Sequence, residues 1–188
     1  MAMYRAKEAG RNTYRFFDEA MDHEAVEHLL MRAGLRRALE RGEFVLQYQP
    51  QVDLGSGQVI GAEALLRWLH PEFGLVPPGR FIPVAEESGL IVPIGDWVIE
   101  QACRQGAAWR EAGLPPLVMA VNLSAVQFRR GSVEETVIRA LTRSQLPPEL
   151  LELELTESIL IQNAEQVMAS VRRLKQLGDK LSTDDFGT

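Results

Sequence analysis

The chain has 188 residues, of which 46% are hydrophobic, and a net charge of −6. This is the composition of a globular protein long enough to bury a core, so it argues against disorder, and the acidic balance argues against broad nucleic-acid or membrane-surface binding. A single Cys excludes a disulfide framework, and a complete (β/α)8 barrel typically needs about 250 residues, so the chain is too short to be one.

The first forty residues favour helical structure. Residues 1–10 look like the end of a helix closed by a glycine, and the aromatic residues 13–17 are β-prone. Apolar residues recur at three- and four-residue steps over 21–42, which predicts a long helix. We interpret this helix as a linker that runs into the first helix of a following domain. Because the chain starts inside a capped helix, we expect the domain of its first residues to begin upstream.

Strands and helices alternate after residue 42. Two β-prone runs, 44–52 and 59–69, are joined by a Gly-rich turn, which predicts an antiparallel hairpin. A segment rich in Pro and Gly, 71–83, is predicted as a loop. The later segments are predicted as helices at 81–87, 94–112, 132–144 and 164–177, and as strands at 117–123, 150–156 and 181–185. This alternation predicts an α/β fold with a parallel sheet or barrel.

Polar residues lie on the predicted strands near their carboxyl ends, where active sites gather in parallel α/β folds. Glu63 and Arg67 share one face of their strand because side chains alternate with a period of two. They form either a structural ion pair or part of a site. Asn122 follows an apolar strand, where it either caps the next turn or joins the same site.

Further carboxylates follow on the later strands. Glu154 lies opposite a leucine face, and Asp184 and Asp185 precede a glycine, a pattern that is also common in surface loops. The complete set consists of oxygen donors: Glu63, Asn122, Glu154, Asp184 and Asp185. Four neighbouring carboxylates repel unless cations neutralise them, and oxygen donors without Cys or His suit Mg²⁺ or Mn²⁺. The set therefore predicts a two-metal site that activates water for phosphoester hydrolysis, with Arg67 as a phosphate-binding cation.

Several separate motifs resemble the EAL family of cyclic di-GMP phosphodiesterases. They are FVLQYQPQVDL (44–54), AEALLRW (62–68), HPEFGLVPPGRFIPVAEESGLI (70–91), VNLSAVQF (121–128), LELTES (153–158) and DDFG (184–187). Residues 2–17 resemble the C-terminal end of a GGDEF, or diguanylate cyclase, domain. The resemblances imply a GGDEF remnant at 1–19, a helical linker at 20–34 and the N-terminal part of an EAL domain at 35–188.

The EAL resemblance implies a partial TIM-like barrel with an antiparallel first strand, of which about five of eight strands are present. It implies metal-dependent hydrolysis of cyclic di-GMP to linear pGpG in bacterial second-messenger signalling. It implies that Mg²⁺ or Mn²⁺ is held by Glu63, Asn122, Glu154, Asp184 and Asp185. By the same resemblance Arg67 contacts a substrate phosphate, Gln49 lies in the substrate pocket and Glu157 anchors a mobile catalytic loop.

The chain ends in the fifth predicted strand, so we expect an incomplete two-metal site, with turnover belonging to the parent protein. The alternatives are a non-catalytic module that binds cyclic di-GMP and an inactive fragment. We expect cyclic di-GMP as the partner, a homodimer in the parent and no nucleic acid. No apolar run approaches the ~20 residues of a membrane span, so we expect a cytoplasmic chain. Upstream domains that this chain lacks can still tether the parent protein to a membrane.

Overall fold

The computed structural model describes residues 19–156 and 180–184, and the side chains of residues 28–155. Its elements are α1 (Glu19–Arg41), β1 (Phe44–Val52), β2 (Val59–His70), β3 (Gly74–Val76), α2 (Pro78–Ser88), α3 (Ile91–Glu111), β4 (Val118–Leu123), α4 (Ala125–Arg130), α5 (Val133–Ser144), a 3-10 turn (Pro148–Leu150), β5 (Leu151–Thr156) and β6 (Lys180–Asp184). The predicted helix at 164–177 and the predictions for 1–17 lie outside these ranges. Among the described helices, none is long and apolar enough to cross a membrane.

The strands form a mixed sheet. Strands β1 and β2 pair antiparallel, with Gln49 opposite Glu63, and β2, β4, β5 and β6 then follow one another in parallel. The short strand β3 pairs antiparallel with the end of β2. The predicted hairpin and the α/β class with a parallel sheet are therefore confirmed.

The turn between β1 and β2 is closed by the side chain of Asp53. Its Oδ1 accepts hydrogen bonds from Ser56 N at 2.8 Å and from Ser56 Oγ at 2.7 Å. These bonds stabilise the ionised carboxylate, so they hold the pKa of Asp53 below its ordinary value of 3.8. Gly57 has a φ of 70°, which a glycine adopts without steric strain. Local side-chain bonding and one glycine thus fix where the chain reverses.

The core lies between the sheet and the helices. On β5, Leu151, Leu153 and Leu155 are at most 2% exposed and join a hydrophobic cluster with buried residues of α3 and α5. Glu152 and Glu154 alternate with them and are half-buried. The predicted alternation of β5 is therefore confirmed, and its leucine face meets the helices.

Trp68 anchors helix α1 to the sheet. The indole is 1% exposed, its Nε1 donates to Glu43 Oε2 at 3.0 Å, and its ring centroid lies 5.7 Å from that of Phe81. A Cβ at Gly34 of α1 would approach the indole to 3.0 Å, so this glycine allows the helix to pack closely on β2.

The loop predicted at 71–83 is wrong over much of its length. Its middle forms β3, which pairs with the end of β2, and α2 begins at Pro78. Proline suits the first turn of a helix because the N–H it lacks would have no partner there. Helix α4 was not predicted, although Ser124 followed by Gln127 is the S-x-x-Q pattern of a capping box, which the structure contains.

Candidate functional site

The predicted site residues lie on strands that are neighbours in the sheet, but at different levels along those strands. Glu63 on β2 is the register partner of Ala120, whereas Asn122, two residues further along β4, is the partner of Glu154. Strands rise about 3.3 Å per residue, so Glu63 lies roughly 7 Å deeper than the other two. Asp184, at the end of β6, is level with Thr156, another two residues along. The stagger of the parallel strands therefore places the four residues at successively higher levels from β2 to β6, with Asn122 and Glu154 level with each other.

Glu63 and Asn122 bridge this difference with a direct contact. Asn122 Nδ2 donates a hydrogen bond to Glu63 Oε1 at 2.6 Å. The residue that caps the following helix is Ser124, so the capping alternative for Asn122 does not apply. The contact joins the middle of β2 to the carboxyl end of β4, on the face where the site was predicted.

Arg67 is held by the hairpin and not by Glu63. Its Nε donates to Gln47 Oε1 at 2.9 Å, and its Nη1 donates to the carbonyl of Leu66 at 3.0 Å. Within the described part of the chain, Glu63 and Arg67 thus have different hydrogen-bond partners, which argues against the structural ion pair. Gln47 was missed by the sequence analysis, although it alternates with Gln49 on β1 and so shares its face.

The residue between these two glutamines points the other way. The Tyr48 ring lies edge-on against Trp109, with ring centroids 4.9 Å apart. Burial raises the pKa of the Tyr48 phenol above its ordinary value of 10.0 because water no longer stabilises the phenolate. Packing of Tyr48 into the helix layer leaves Gln47 and Gln49 on the face of the candidate site, where both are exposed.

The described donors are of the type that binds divalent cations. Glu63 and Asn122 are in contact, Glu154 is half-buried at the register position of Asn122, and all three offer oxygen, the donor that Mg²⁺ and Mn²⁺ prefer. In the described ranges no three His, Cys, Asp or Glu side chains form a group that could hold a metal. The side chain of Asp184 and the whole of Asp185 and Glu157 lie outside those ranges. The donor chemistry fits a divalent cation, and the described residues supply part of the set.

A cavity of about 490 Å³ opens beside these residues, lined by Arg67 and Asn122 and by residues of α2, α3 and α4. Its apolar wall includes Ile82 and Ile94, and Glu86 adds a carboxylate. A volume of about 300–1,000 Å³ with apolar walls and few polar groups is typical of small-molecule sites. The candidate site therefore combines a polar strand edge with an adjoining pocket.

The chain is similar to known proteins over nearly its whole length. The model of a family described as the EAL domain matches residues 32–188. The bifunctional diguanylate cyclase/cyclic di-GMP phosphodiesterase MucR of Pseudomonas aeruginosa is 48% identical over 187 residues, which cover 100% of this chain and 27% of that protein. The cyclic di-GMP phosphodiesterase PdeR of Escherichia coli is 44% identical over 193 residues, with 100% and 28% covered. The chain spans about a quarter of the length of these curated relatives.

Solved structures agree with the fold. The PaMucR phosphodiesterase in complex with c-di-GMP superimposes with a TM-score of 0.81 and 46% identity over 85% of this chain and 64% of that one. The FimX EAL domain of Pseudomonas aeruginosa bound to c-di-GMP gives a TM-score of 0.75 and 29% identity over 84% of this chain and 62% of that one. The sheet described above is therefore part of a TIM-like barrel, as predicted.

Proposed function

We propose that this chain, which belongs to the EAL domain family, supplies part of the catalytic site of a phosphodiesterase that hydrolyses cyclic di-GMP. The observation that carries the proposal is the 2.6 Å contact between Asn122, at the carboxyl end of β4, and Glu63 on the neighbouring parallel strand β2. Relatives named as cyclic di-GMP phosphodiesterases support it, as does the likeness to a phosphodiesterase structure in complex with c-di-GMP.

In this proposal the carboxylates and the amide hold two divalent cations, Mg²⁺ or Mn²⁺. The ligands are Glu63, Asn122, Glu154, Asp184 and Asp185. When bound, such cations lower the pKa of a water molecule and neutralise charge on the phosphate. The hydrolysis adds water to one phosphodiester and breaks one P–O bond, so the cyclic substrate becomes the linear pGpG.

Arg67 and the two glutamines bind and orient the substrate. The guanidinium of Arg67 contacts a phosphate oxygen, and its hydrogen bond to Gln47 at 2.9 Å restricts its orientation. Gln49 lies opposite Glu63 on β1 and is exposed on the face of the site. The neighbouring cavity of about 490 Å³ accommodates an apolar part of the ligand such as a flat base. These residues position the phosphodiester over the carboxylates.

The domain assignments and the role of Glu157 complete the proposal. Residues 1–19 form a GGDEF remnant, 20–34 a linker and 35–188 the N-terminal part of the EAL domain. By the resemblance to the EAL family, Glu157 has the role of anchoring a mobile catalytic loop. The protein that carries this chain is a homodimer in the cytoplasm and does not bind nucleic acid.

A second candidate function is a regulatory module that binds cyclic di-GMP without hydrolysing it. It is favoured by one observation: the cavity of about 490 Å³ and Arg67, which lines it, lie within the described residues. A receptor needs the pocket and Arg67 but no activated water. Binding without turnover distinguishes it from the enzyme.

The test is hydrolysis of cyclic di-GMP by the full-length protein with Mg²⁺ or Mn²⁺, followed by chromatography of pGpG. Glu63→Gln keeps the size of the side chain but removes its charge. We expect kcat to fall by about 100-fold or more, which is the loss seen when an enzyme loses one polar group that stabilises its transition state. Glu72→Gln, in the exposed turn between β2 and β3, is the matched control and should retain activity. Equal activity in both variants would refute the proposal, and nucleotide binding without pGpG would favour the receptor.

A further inference from the structure

The turn that follows Asn122 is held by a dense set of hydrogen bonds. Ser124 Oγ donates to Glu86 Oε1 on α2 at 2.6 Å and accepts from Val126 N at 3.2 Å. Ser124 N donates to Gln127 Oε1 at 2.9 Å. The hydroxyl thus both donates and accepts, which restricts its rotamer. Ser124 cannot shift without breaking bonds to both α2 and α4.

Gln127, on α4, packs the other side of the turn against helix α3. Its side chain is 3% exposed and lies against Gly95, where a Cβ would overlap the Gln127 amide. The absence of a side chain at Gly95 therefore creates the space that the amide occupies. Because the same amide accepts the hydrogen bond from Ser124 N, the turn is braced from α3 as well as from α2.

The bond between Ser124 and Glu86 is the strongest type in this set. A hydroxyl that donates to a carboxylate at 2.6 Å is a charge-assisted hydrogen bond, which is shorter and stronger than one between neutral groups. Glu86 is half-buried, so water competes for its carboxylate less than at an exposed position. Asn122, on β4, lies only two residues before Ser124, the N-cap of α4.

We propose that Glu86 and Ser124 are positioning residues that fix Asn122 through the β4–α4 turn, so that its amide remains within reach of Glu63 and of a bound cation. This inference rests on the proposed function. Groups that hydrogen-bond behind metal ligands typically change metal affinity by about 10- to 100-fold when they are removed. Glu86 and Ser124 bond within the turn and not to Asn122 itself, so we expect the lower end of that range.

The test uses the full-length protein and measures Mn²⁺ binding by calorimetry. We expect Ser124→Ala and Glu86→Ala to weaken Mn²⁺ binding by about 10-fold or more. Ser124→Thr keeps a hydroxyl and should restore affinity. Ser144→Ala is the matched control: it removes a hydroxyl that donates to a helix carbonyl on α5, away from the site, and should leave affinity unchanged.

A second readout needs neither metal nor substrate. Hydrogen exchange of the backbone amides at 123–127 in the metal-free protein should accelerate in both alanine variants, and Ser124→Thr should return it towards the wild-type rate. If the alanine variants do not fold, Glu86→Asp decides the question, because it keeps the charge but shortens the side chain and should weaken Mn²⁺ binding in the same direction.

The outcomes separate this inference from the proposed function. A wild-type protein that binds neither Mn²⁺ nor Mg²⁺ would overturn the proposed function, and the inference with it. The inference alone would be overturned if the wild-type protein binds Mn²⁺ normally and the folded Glu86 and Ser124 variants bind it with unchanged affinity. An equal loss in Ser144→Ala would also overturn it, because the effect would then report general destabilisation.

Discussion

Replacing Asn122 by aspartate (N122D) tests the pairing that carries the proposed function. In the structure the Asn122 amide donates to Glu63 Oε1 at 2.6 Å. An ionised carboxylate has no proton to donate, so N122D converts this hydrogen bond into a contact between two negative charges. Without a cation the substitution should destabilise the protein. With a cation the added charge should strengthen binding, because both carboxylates can then act as ligands.

The size of the effect follows from the distance and the exposure. Losing a hydrogen bond typically costs about 1 kcal/mol. Two charges that relax to about 4 Å repel by roughly 1 kcal/mol in water and 4 kcal/mol near a protein surface. Because Asn122 is exposed and Glu63 half-buried, the lower part of that range applies. We expect a total loss of about 2–3 kcal/mol, or roughly 4–12 °C in Tm for a domain of this size.

The assay is thermal unfolding of the full-length protein in EDTA and in increasing Mn²⁺. A ligand at 100 times its Kd adds about 2.7 kcal/mol of stability, so saturating Mn²⁺ should recover most of the loss in N122D. The control is N122A, which removes the donor without adding a charge. It should lose less stability in EDTA and recover less with metal.

Two results would refute the reasoning. An N122D protein that unfolds in EDTA at the wild-type temperature would mean that Asn122 and Glu63 are not held together. A loss that Mn²⁺ does not reverse would mean that the paired carboxylates do not bind a cation, and the metal assignment for this edge of the sheet would be wrong.

Three further predictions concern the scaffold. Gly95→Ala should lower stability by up to about 2 kcal/mol in denaturant unfolding. The new methyl overlaps the buried Gln127 amide, which costs about 1–3 kcal/mol, and alanine returns roughly 1 kcal/mol in a helix; a more stable variant would contradict this. Leu153→Ala should cost about 2–5 kcal/mol, because the side chain is fully buried, and a loss below 1 kcal/mol would mean that the leucine face is not core. Ser56→Ala should raise the pKa of Asp53 towards 3.8, measured by ¹³C titration of the carboxyl group. Because the folded pKa is lowered, the associated stability is present above the unfolded pKa and is lost as pH falls through the folded value. An unchanged pKa would exclude the Ser56 hydroxyl as the cause of the lowered value.

Alternation along single strands was readable from the sequence. The leucine face of β5 and the opposite glutamate face follow from a period of two, and the buried Leu153 beside the half-buried Glu154 confirms it. The hairpin of β1 and β2 was equally local, because Asp53 and Gly57 supply turn chemistry between two β-prone runs. The Pro- and Gly-rich segment was misleading, since the same residues also suit the first turn of a helix such as α2.

Partners from distant elements could not be read in the same way. Gln47 is separated from Arg67 by 20 positions and Glu86 from Ser124 by 38, and neither spacing belongs to a local pattern. Residues so far apart meet only when strands pair in one particular register and helices pack at one particular depth. The sequence indicated that these residues are polar, but not which of them bond to one another.

The sequence by itself determined most of the elements and their order, except β3 and α4, and the residue types on the strands, because backbone preference and side-chain alternation act over a few neighbouring residues. Only the tertiary structure decided the stagger of β2 against β4 that brings Asn122 to Glu63, and the bracing of the following turn by α2 and α3. Those features depend on the packing of a whole layer, where sheet register and helix contacts are chosen together by the burial of one shared core.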